Sequence, residues 1–191
     1  VLLANDAKKR GRVIKKFIKI CEQLFILRNF QSLYAIYGAL YSSAVIRLKK
    51  AWHYVPTKHL AKFEEFKVIF ATKRNMANLR KLHRETYPPM IPYTGIYLQD
   101  LFSIEEGNKK TKTDGSVNFA RLLRLSTVID SILLLQRTTY KINPDKGLQT
   151  LLRSEFQTNQ NVSEEKLWQI SDKIHKTDNK KSNFIPIFGA R

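Results

Sequence analysis

The histidine side chains are the first residues to consider for chemistry, because an imidazole can act as a general base or as a metal ligand. There are four of them, His53, His59, His83 and His175, and they fall in different predicted elements. The one cysteine, Cys21, is close to none of them in sequence. Zinc sites usually draw their ligands from short, regular Cys and His spacings, which are missing here. We therefore expect no bound metal and no cofactor.

The adjacent carboxylates are the next candidates for acid–base chemistry. Glu64-Glu65 and Glu105-Glu106 form two such pairs. Consecutive residues on a helix point in different directions, so neither pair can converge on one substrate. The sequence also has no glycine fingerprint for dinucleotides, no phosphate-binding loop and no nucleophile elbow. These patterns favour a protein that acts by binding, without covalent chemistry, over an enzyme.

Positive charge is the most unusual feature of the composition. The formal net charge is +18 for 191 residues, and residues 1–50 contribute half of it, with eleven Lys and Arg against Asp6 and Glu22. Such asymmetry indicates a nucleic acid or an anionic membrane surface as a neighbour, or else a basic helix face that is only solvated. The basic residues are not interleaved with exposed aromatic residues, so we expect no nucleic acid partner. A membrane surface would meet residues 8–19.

The apolar runs, the N-terminal residues and the cysteine content indicate the cellular compartment in which the protein is expected. No apolar run approaches the length of a membrane span, and charges begin at Asp6, which does not fit a signal peptide. A single cysteine excludes an internal disulfide. We therefore expect a cytoplasmic protein that lies at the periphery of a membrane if its basic face binds lipid.

Apolar residues recur at intervals of three and four along most of the chain, which predicts an all-α fold in a single domain. The pattern predicts helices over residues 13–25, 29–43, 44–52, 56–71, 75–86 and 117–140, and then two shorter helices, the last capped by Ser163. The later half of 117–140 is apolar on nearly all sides, which predicts a central core helix.

The two helices over residues 56–71 and 75–86 are separated by a short polar connection, Lys73-Arg74-Asn75, which predicts an antiparallel helical hairpin. At 100° per residue, the first helix has an aromatic stripe that would pack on an apolar stripe of the second. These stripes are Phe63, Phe66 and Phe70, and Met76, Leu79 and Leu82. Leu60, Glu64 and Lys67 form an adjoining stripe that would project outward.

Three blocks of sequence resemble the catalytic domain of Ras-type guanine-nucleotide exchange factors, the RasGEF family. They are KKFIKICEQLFILRNFQSLYAIYGAL from residue 15, SSAVIRLKKAW from residue 42, and YPPMIPYTGIYLQDLFSIEEGN from residue 87 with DGSVNFARLLRL from residue 114. The family's NFSKRRK motif is replaced here by residues 118–124, NFARLLR, with fewer basic residues. The resemblance covers residues 8–176 and implies that residues 1–180 are the C-terminal part of such a domain, lacking its N-terminal portion. Residues 181–191 would be a loosely held tail.

The resemblance implies a mechanism in which the hairpin, at about 56–86, pushes aside the first switch of a GTPase. Leu60 and Glu64, with Phe63 and Lys67 as neighbours, would then be the wedge that expels the nucleotide. The residues expected to bind the GTPase are Ile46, Arg47, Trp52, Arg121 and Arg124. Trp52 fits a core anchor at the hairpin base equally well.

The resemblance implies a small GTPase of Ras, Rap or Ral type as the partner. Two alternatives stay open. The first is an inactive scaffold of the same fold, and the second is a basic helical module that binds an anionic membrane or nucleic acid.

Overall fold

The computed structural model describes residues 1–159 and 162–180, and within these ranges the chain is all-α, as predicted. The ten helices of the described residues are α1 (Ala7–Ile26), α2 (Phe30–Tyr41), α3 (Ser43–Ile46), α4 (Lys49–His53), α5 (Thr57–Ile69), α6 (Lys73–Glu85), α7 (Gly95–Gly107), α8 (Phe119–Gln136), α9 (Lys146–Asn159) and α10 (Glu164–Lys180). The predicted tail, 181–191, lies outside the described residues.

The chain divides into two compact units. Of the described residues, the first comprises 1–21, 36–63, 141–159 and 162–180, and the second comprises 22–35 and 64–140. Three of the four boundaries fall inside α1, α2 and α5, so each of these helices contributes to both units.

The core of the first unit forms where one face of α1 is buried. Ile14, Ile18 and Cys21 are fully buried, as their spacing of four and three predicts. Gly11 is buried on the same helix, and a Cβ at this position would lie only 2.6 Å from the Ala51 carbonyl oxygen. A glycine here therefore allows α1 to approach the backbone of α4 closely.

The second unit is centred on Phe30, whose ring contacts Phe25 edge-on at 6.2 Å between centroids. The turn before α2 and the proline-rich segment pair through their backbones: the Phe30 amide donates to the Ile91 carbonyl at 2.8 Å, and the Ile91 amide donates to the Arg28 carbonyl at 3.0 Å. Asn29 Oδ1 accepts from the Ser32 amide at 3.0 Å and caps α2. Two of the blocks that resemble the family are thus joined directly.

The last helix begins as the sequence predicts. The Ser163 hydroxyl accepts a hydrogen bond from the Lys166 amide at 3.2 Å, and Glu164 and Glu165 occupy the first turn of α10. Carboxylates at this end interact favourably with the helix dipole.

The predicted helix over 44–52 is instead divided into α3 and α4, because Arg47 ends one helix and Leu48 begins the next.

The prediction that 117–140 is a central core helix is wrong. The helix exists as α8, but Phe119, Leu123 and Leu134 are 70%, 59% and 54% exposed, and Arg121 is its one buried residue. Apolar periodicity indicates which faces of a helix favour burial but not what covers them, and among the described residues α7 is the main helix on which α8 packs. No helix in the described part of the chain is both long enough and apolar enough to cross a membrane.

Candidate functional site

Helix α5 holds the residues expected to form the wedge. It begins directly after Pro56, whose carbonyl accepts from the amides of His59 and Leu60 at 2.9 and 3.2 Å. Proline suits this position because its missing N–H would be unpaired in a first helical turn. Leu60 is half-buried and Glu64, one turn later, is exposed.

Glu64 pairs with Lys67 on the surface of the same helix. Lys67 Nζ lies 3.2 Å from Glu64 Oε2, and the two side chains are 47% and 51% exposed. Ion pairs this exposed contribute little to stability, because water screens them and ordering two long side chains costs entropy. The Glu64 carboxylate can therefore exchange Lys67 for another partner at small cost.

On the face of α5 that points away from the Glu64–Lys67 pair, aromatic side chains pack into the core. In the first unit, the Phe63 ring lies 4.9 Å from Trp52 and 5.3 Å from Tyr37. In the second, the Phe66 ring lies 6.0 Å from Phe25. Phe63 and Phe66 are each 3% exposed, so the predicted aromatic stripe is buried. Its expected packing on Met76, Leu79 and Leu82 stays a prediction, although Leu79 is itself fully buried.

The connection from α5 into the first turn of α6 has an unusual backbone. Arg74, Asn75 and Met76 all have left-handed conformations, with φ between 51° and 55°. The connection is supported by side chains, since Asn78 Nδ2 donates to the Val68 carbonyl at 2.8 Å and Arg80 Nε donates to the Asn75 carbonyl at 2.8 Å. Left-handed backbone costs about 1–2 kcal/mol per residue for side chains other than glycine and asparagine. The turn is therefore a strained element.

A buried histidine lies near the end of α6, and sequence reasoning missed it. His83 is 7% exposed, and its ring lies 5.1 Å from Phe30 and 6.1 Å from Tyr97. Burial, with a smaller contribution from the Arg80 guanidinium, lowers the pKa of His83 to about 4. His83 follows Leu79 by four residues and therefore lies on the same face of α6. This spacing was the signal in the sequence that could have predicted a buried His83.

Arg47 was expected to bind a GTPase, but its guanidinium contacts α10. Its Nη2 donates to Asp172 Oδ1 at 3.1 Å, and its Cζ lies 5.0 Å from the centre of the Trp168 ring. A hydrogen bond from Lys176, together with the one from Arg47, lowers the pKa of Asp172. Within the described residues, the buried Nη1 of Arg47 has no hydrogen-bond partner.

Trp52 and Ile46 were expected on the same surface as Arg47. Trp52 is only 2% exposed, and its indole N–H donates to the Val45 carbonyl at 3.0 Å. The structure therefore gives Trp52 the environment of a core anchor, one of the two roles that its sequence position allowed. Ile46 is half-buried at the end of α3.

Arg121 and Arg124 lie on α8 in the second unit. Arg121 Nη2 lies 3.1 Å from Glu105 Oε1, and its side chain is 9% exposed. Arg124 Nη1 donates to Asn108 Oδ1 at 3.0 Å. Both arginines thus fasten α8 to the end of α7, a contact that their sequence positions did not predict.

No group of three or more His, Cys, Asp or Glu residues within 1–159 and 162–180 is arranged to hold a metal ion.

A model of the RasGEF domain family matches residues 1–123 of this chain. The chain is 33% identical over 172 residues to Ras-specific guanine nucleotide-releasing factor 1 of Mus musculus. The matched region covers 90% of this chain and 13% of that protein. The chain is 32% identical over 170 residues to Ras-specific guanine nucleotide-releasing factor 2 of the same organism, covering 88% of the chain and 14% of the relative. It is also 33% identical over 138 residues to Ras guanine nucleotide exchange factor P of Dictyostelium discoideum, covering 72% and 9%. The chain thus spans a small part of the length of these relatives.

Proposed function

This chain belongs to the RasGEF domain family, and we propose that it accelerates the release of GDP from a small GTPase of the Ras family. The observation on which the proposal depends is the arrangement of α5. Phe63 and Phe66 are buried, whereas Glu64 is exposed one turn after the half-buried Leu60. A helix anchored in this way can present an apolar side chain and a carboxylate to a partner.

The proposed mechanism is competition for the groups that hold the nucleotide. A GTPase binds the phosphates through Mg²⁺, a lysine and backbone amides. Leu60 next to the metal site would block the ion and its waters. Glu64 next to the phosphate loop would compete for the donors that bind phosphate. Each effect weakens the bound state without any covalent step, so exchange is accelerated in both directions.

The partner is proposed to be a GTPase of Ras, Rap or Ral type, as the resemblance implies. Ile46 and Arg47 would line the surface that grips its second switch. Arg121 and Arg124, which lie on α8, are also proposed to bind the GTPase. Trp52 would act by supporting Phe63, since the two rings are 4.9 Å apart.

The second candidate function is a scaffold of the same fold that binds a GTPase without releasing nucleotide. It is favoured by the contacts of Arg121 with Glu105 and of Arg124 with Asn108. Both arginines have intramolecular partners, and a GTPase would have to compete with these for them.

The experiment for both candidates is a panel of Ras, Rap and Ral GTPases loaded with fluorescent GDP, with a Rho-type GTPase as the control. Accelerated release from one of the three types supports exchange. Binding without accelerated release supports the scaffold. If no GTPase in the panel is bound, both candidates are contradicted.

We also propose that the basic face of α1 attracts the protein to anionic membranes. Lys8, Lys9, Arg12, Lys16 and Lys19 are exposed along this helix and Lys15 is half-buried. Each exposed cation near such a surface contributes about 1 kcal/mol, screened beyond the Debye length.

Co-sedimentation with phosphatidylserine vesicles at low and high salt tests the attraction. Replacing Lys15, Lys16 and Lys19 by Glu should abolish salt-dependent binding. The matched control replaces Lys109, Lys110 and Lys112, all exposed, by Glu and changes the net charge equally. If both variants lose the same amount of vesicle binding, the attraction is not specific to the basic face of α1. Titration of the chain with DNA in parallel tests the nucleic acid alternative.

A further inference from the structure

An open cleft in the first unit lies beside the start of α1 and takes no part in the proposed exchange. Its volume is about 550 Å³, and Lys8, Arg12, Lys50, His53 and Tyr54 are among the residues that line it. Lys50 lies in α4 and has no part in the proposed exchange mechanism. Cations from two helices that are distant in sequence thus converge on one concave surface.

Gly11 explains why these two helices are so close. A Cβ at this position would lie 2.6 Å from the Ala51 carbonyl oxygen and 2.7 Å from Tyr54 Cβ. Only glycine permits that approach without displacement. The close packing places Lys8 and Arg12, which flank Gly11 on α1, next to Lys50 and His53 at the same cleft.

Two carboxylates also border the cleft, and each already has a cation. Asp6 Oδ2 lies 3.7 Å from Lys9 Nζ, and Asp6 Oδ1 accepts from the Lys9 amide at 2.7 Å, which lowers the pKa of Asp6. Asp178 Oδ2 lies 3.6 Å from Arg10 Nη1. Arg12 also acts on Asp6, and Lys50 Nζ donates to the Asp178 carbonyl at 2.6 Å. The cations at and beside the cleft still outnumber its two carboxylates, which leaves an excess of positive charge.

A second, smaller cleft of about 320 Å³ adjoins the first and shares Asp6, Ala7 and Asp178 with it. Arg10 lines this cleft, and its side chain is only 9% exposed. Among the described residues, none accepts a hydrogen bond from the buried Arg10 Nε. A buried guanidinium nitrogen without an acceptor is costly, and the charge of Arg10 adds to the positive potential beside the clefts.

We propose that the two clefts together bind a compact anion that has two or more phosphate groups. The larger cleft exceeds the space that a single phosphate needs, and its cations are spread along its walls, which suits several phosphates. Arginine and lysine are the residues that proteins use most for phosphate oxygens. The exposed Tyr54 ring offers a flat surface for the part of the ligand that holds the phosphates.

Soluble inositol trisphosphate is the probe, titrated into the chain by calorimetry. The pocket variant is Lys8→Glu with Arg12→Glu, and the matched control is Lys109→Glu with Lys110→Glu, which are exposed and line neither cleft. We expect the pocket variant to bind at least about tenfold more weakly and the control to change by less than about threefold. A neutral variant, Lys8→Gln with Arg12→Gln, separates lost contacts from added repulsion, and thermal melts verify folding.

Vesicles distinguish the two sources of such a ligand. A preference for phosphatidylinositol bisphosphate over phosphatidylserine at equal surface charge, lost in the pocket variant, supports a lipid headgroup. Binding of the soluble probe without that preference supports a free metabolite. The proposal is overturned if the parent chain does not bind the trisphosphate, or if pocket and control variants weaken equally. Nucleotide release by the pocket variant is measured separately, so that failure of this proposal is distinct from failure of the exchange proposal.

Discussion

Lys67 Nζ lies 3.2 Å from Glu64 Oε2 on the surface of α5, so the proposed wedge carboxylate has a partner inside the chain. Lys67→Met removes that partner and should change the free energy of unfolding by less than about 1 kcal/mol, because both side chains are about half exposed. Since Glu64 is then no longer held, nucleotide release should proceed at the parent rate or faster. A slower rate with unchanged melting would show that Lys67 itself contacts the GTPase.

The buried His83 predicts that acid destabilises the second unit. Its pKa is lowered to about 4 in the folded chain, whereas an unfolded histidine titrates near 6.5. The unfolded state therefore binds more protons between these values, and stability falls as the pH drops through that window. From pH 7.5 to 5.5, where carboxylates stay ionised, the loss should be about 1.4 kcal/mol from this group.

His83→Phe is the control for this pH dependence, because it keeps a ring between Phe30 and Tyr97 without a titrating nitrogen. Urea unfolding at the two pH values measures the difference in free energy. If the variant loses as much stability as the parent chain, the loss comes from other groups and the assignment to His83 is wrong.

The left-handed turn after α5 predicts a stabilising substitution. Arg74 is exposed and has φ 51°, a conformation that glycine adopts without strain. Arg74→Gly should raise the free energy of unfolding by about 0.5–1 kcal/mol, after allowing for the greater entropy of an unfolded glycine. Lys81→Gly, in the regular part of α6, should lower it by about 1 kcal/mol. Equal destabilisation by both would contradict a strained turn, and thermal melts distinguish these outcomes.

Local periodicity predicted most of the helical segments in the described part of the chain, although not α7, and it succeeded where one face of a helix meets a core. Ile14, Ile18 and Cys21 on α1 are fully buried at the expected spacing. The same periodicity failed for α8, because it cannot identify what covers an apolar face. Its Leu123 and Leu134 are more than half exposed.

Contacts between distant segments were the part of the site that periodicity could not predict. Arg47 is paired with Asp172, which lies 125 residues later in the chain. Arg121 is paired with Glu105 across two helices whose orientation depends on tertiary packing. The left-handed turn at Arg74 was likewise hidden, because arginine has no local preference for that conformation. The family resemblance predicted the wedge, and these contacts show which of the residues proposed to support it already have partners.

Exchange is proposed to depend on Leu60 and Glu64 of α5 rather than on acid–base chemistry. Leu60→Ala should cost little folding free energy, because Leu60 is half-buried, whereas Phe63→Ala should cost about 3–5 kcal/mol because that ring is 3% exposed. Glu64→Ala removes only an exposed pair. The two effects on exchange need not add, since both residues would act on the same departing nucleotide.

The most direct test is the rate of fluorescent GDP release from a responsive GTPase, measured for Leu60→Ala, Glu64→Ala and the adjacent control Glu65→Ala, with a thermal melt of each. We expect the first two to slow release by at least about tenfold, equivalent to about 1.4 kcal/mol, with melting close to that of the parent chain. Glu65→Ala should keep the parent rate, because its side chain points away from Glu64 on the helix. If Leu60→Ala and Glu64→Ala stay folded and exchange at the parent rate, these residues are not the wedge.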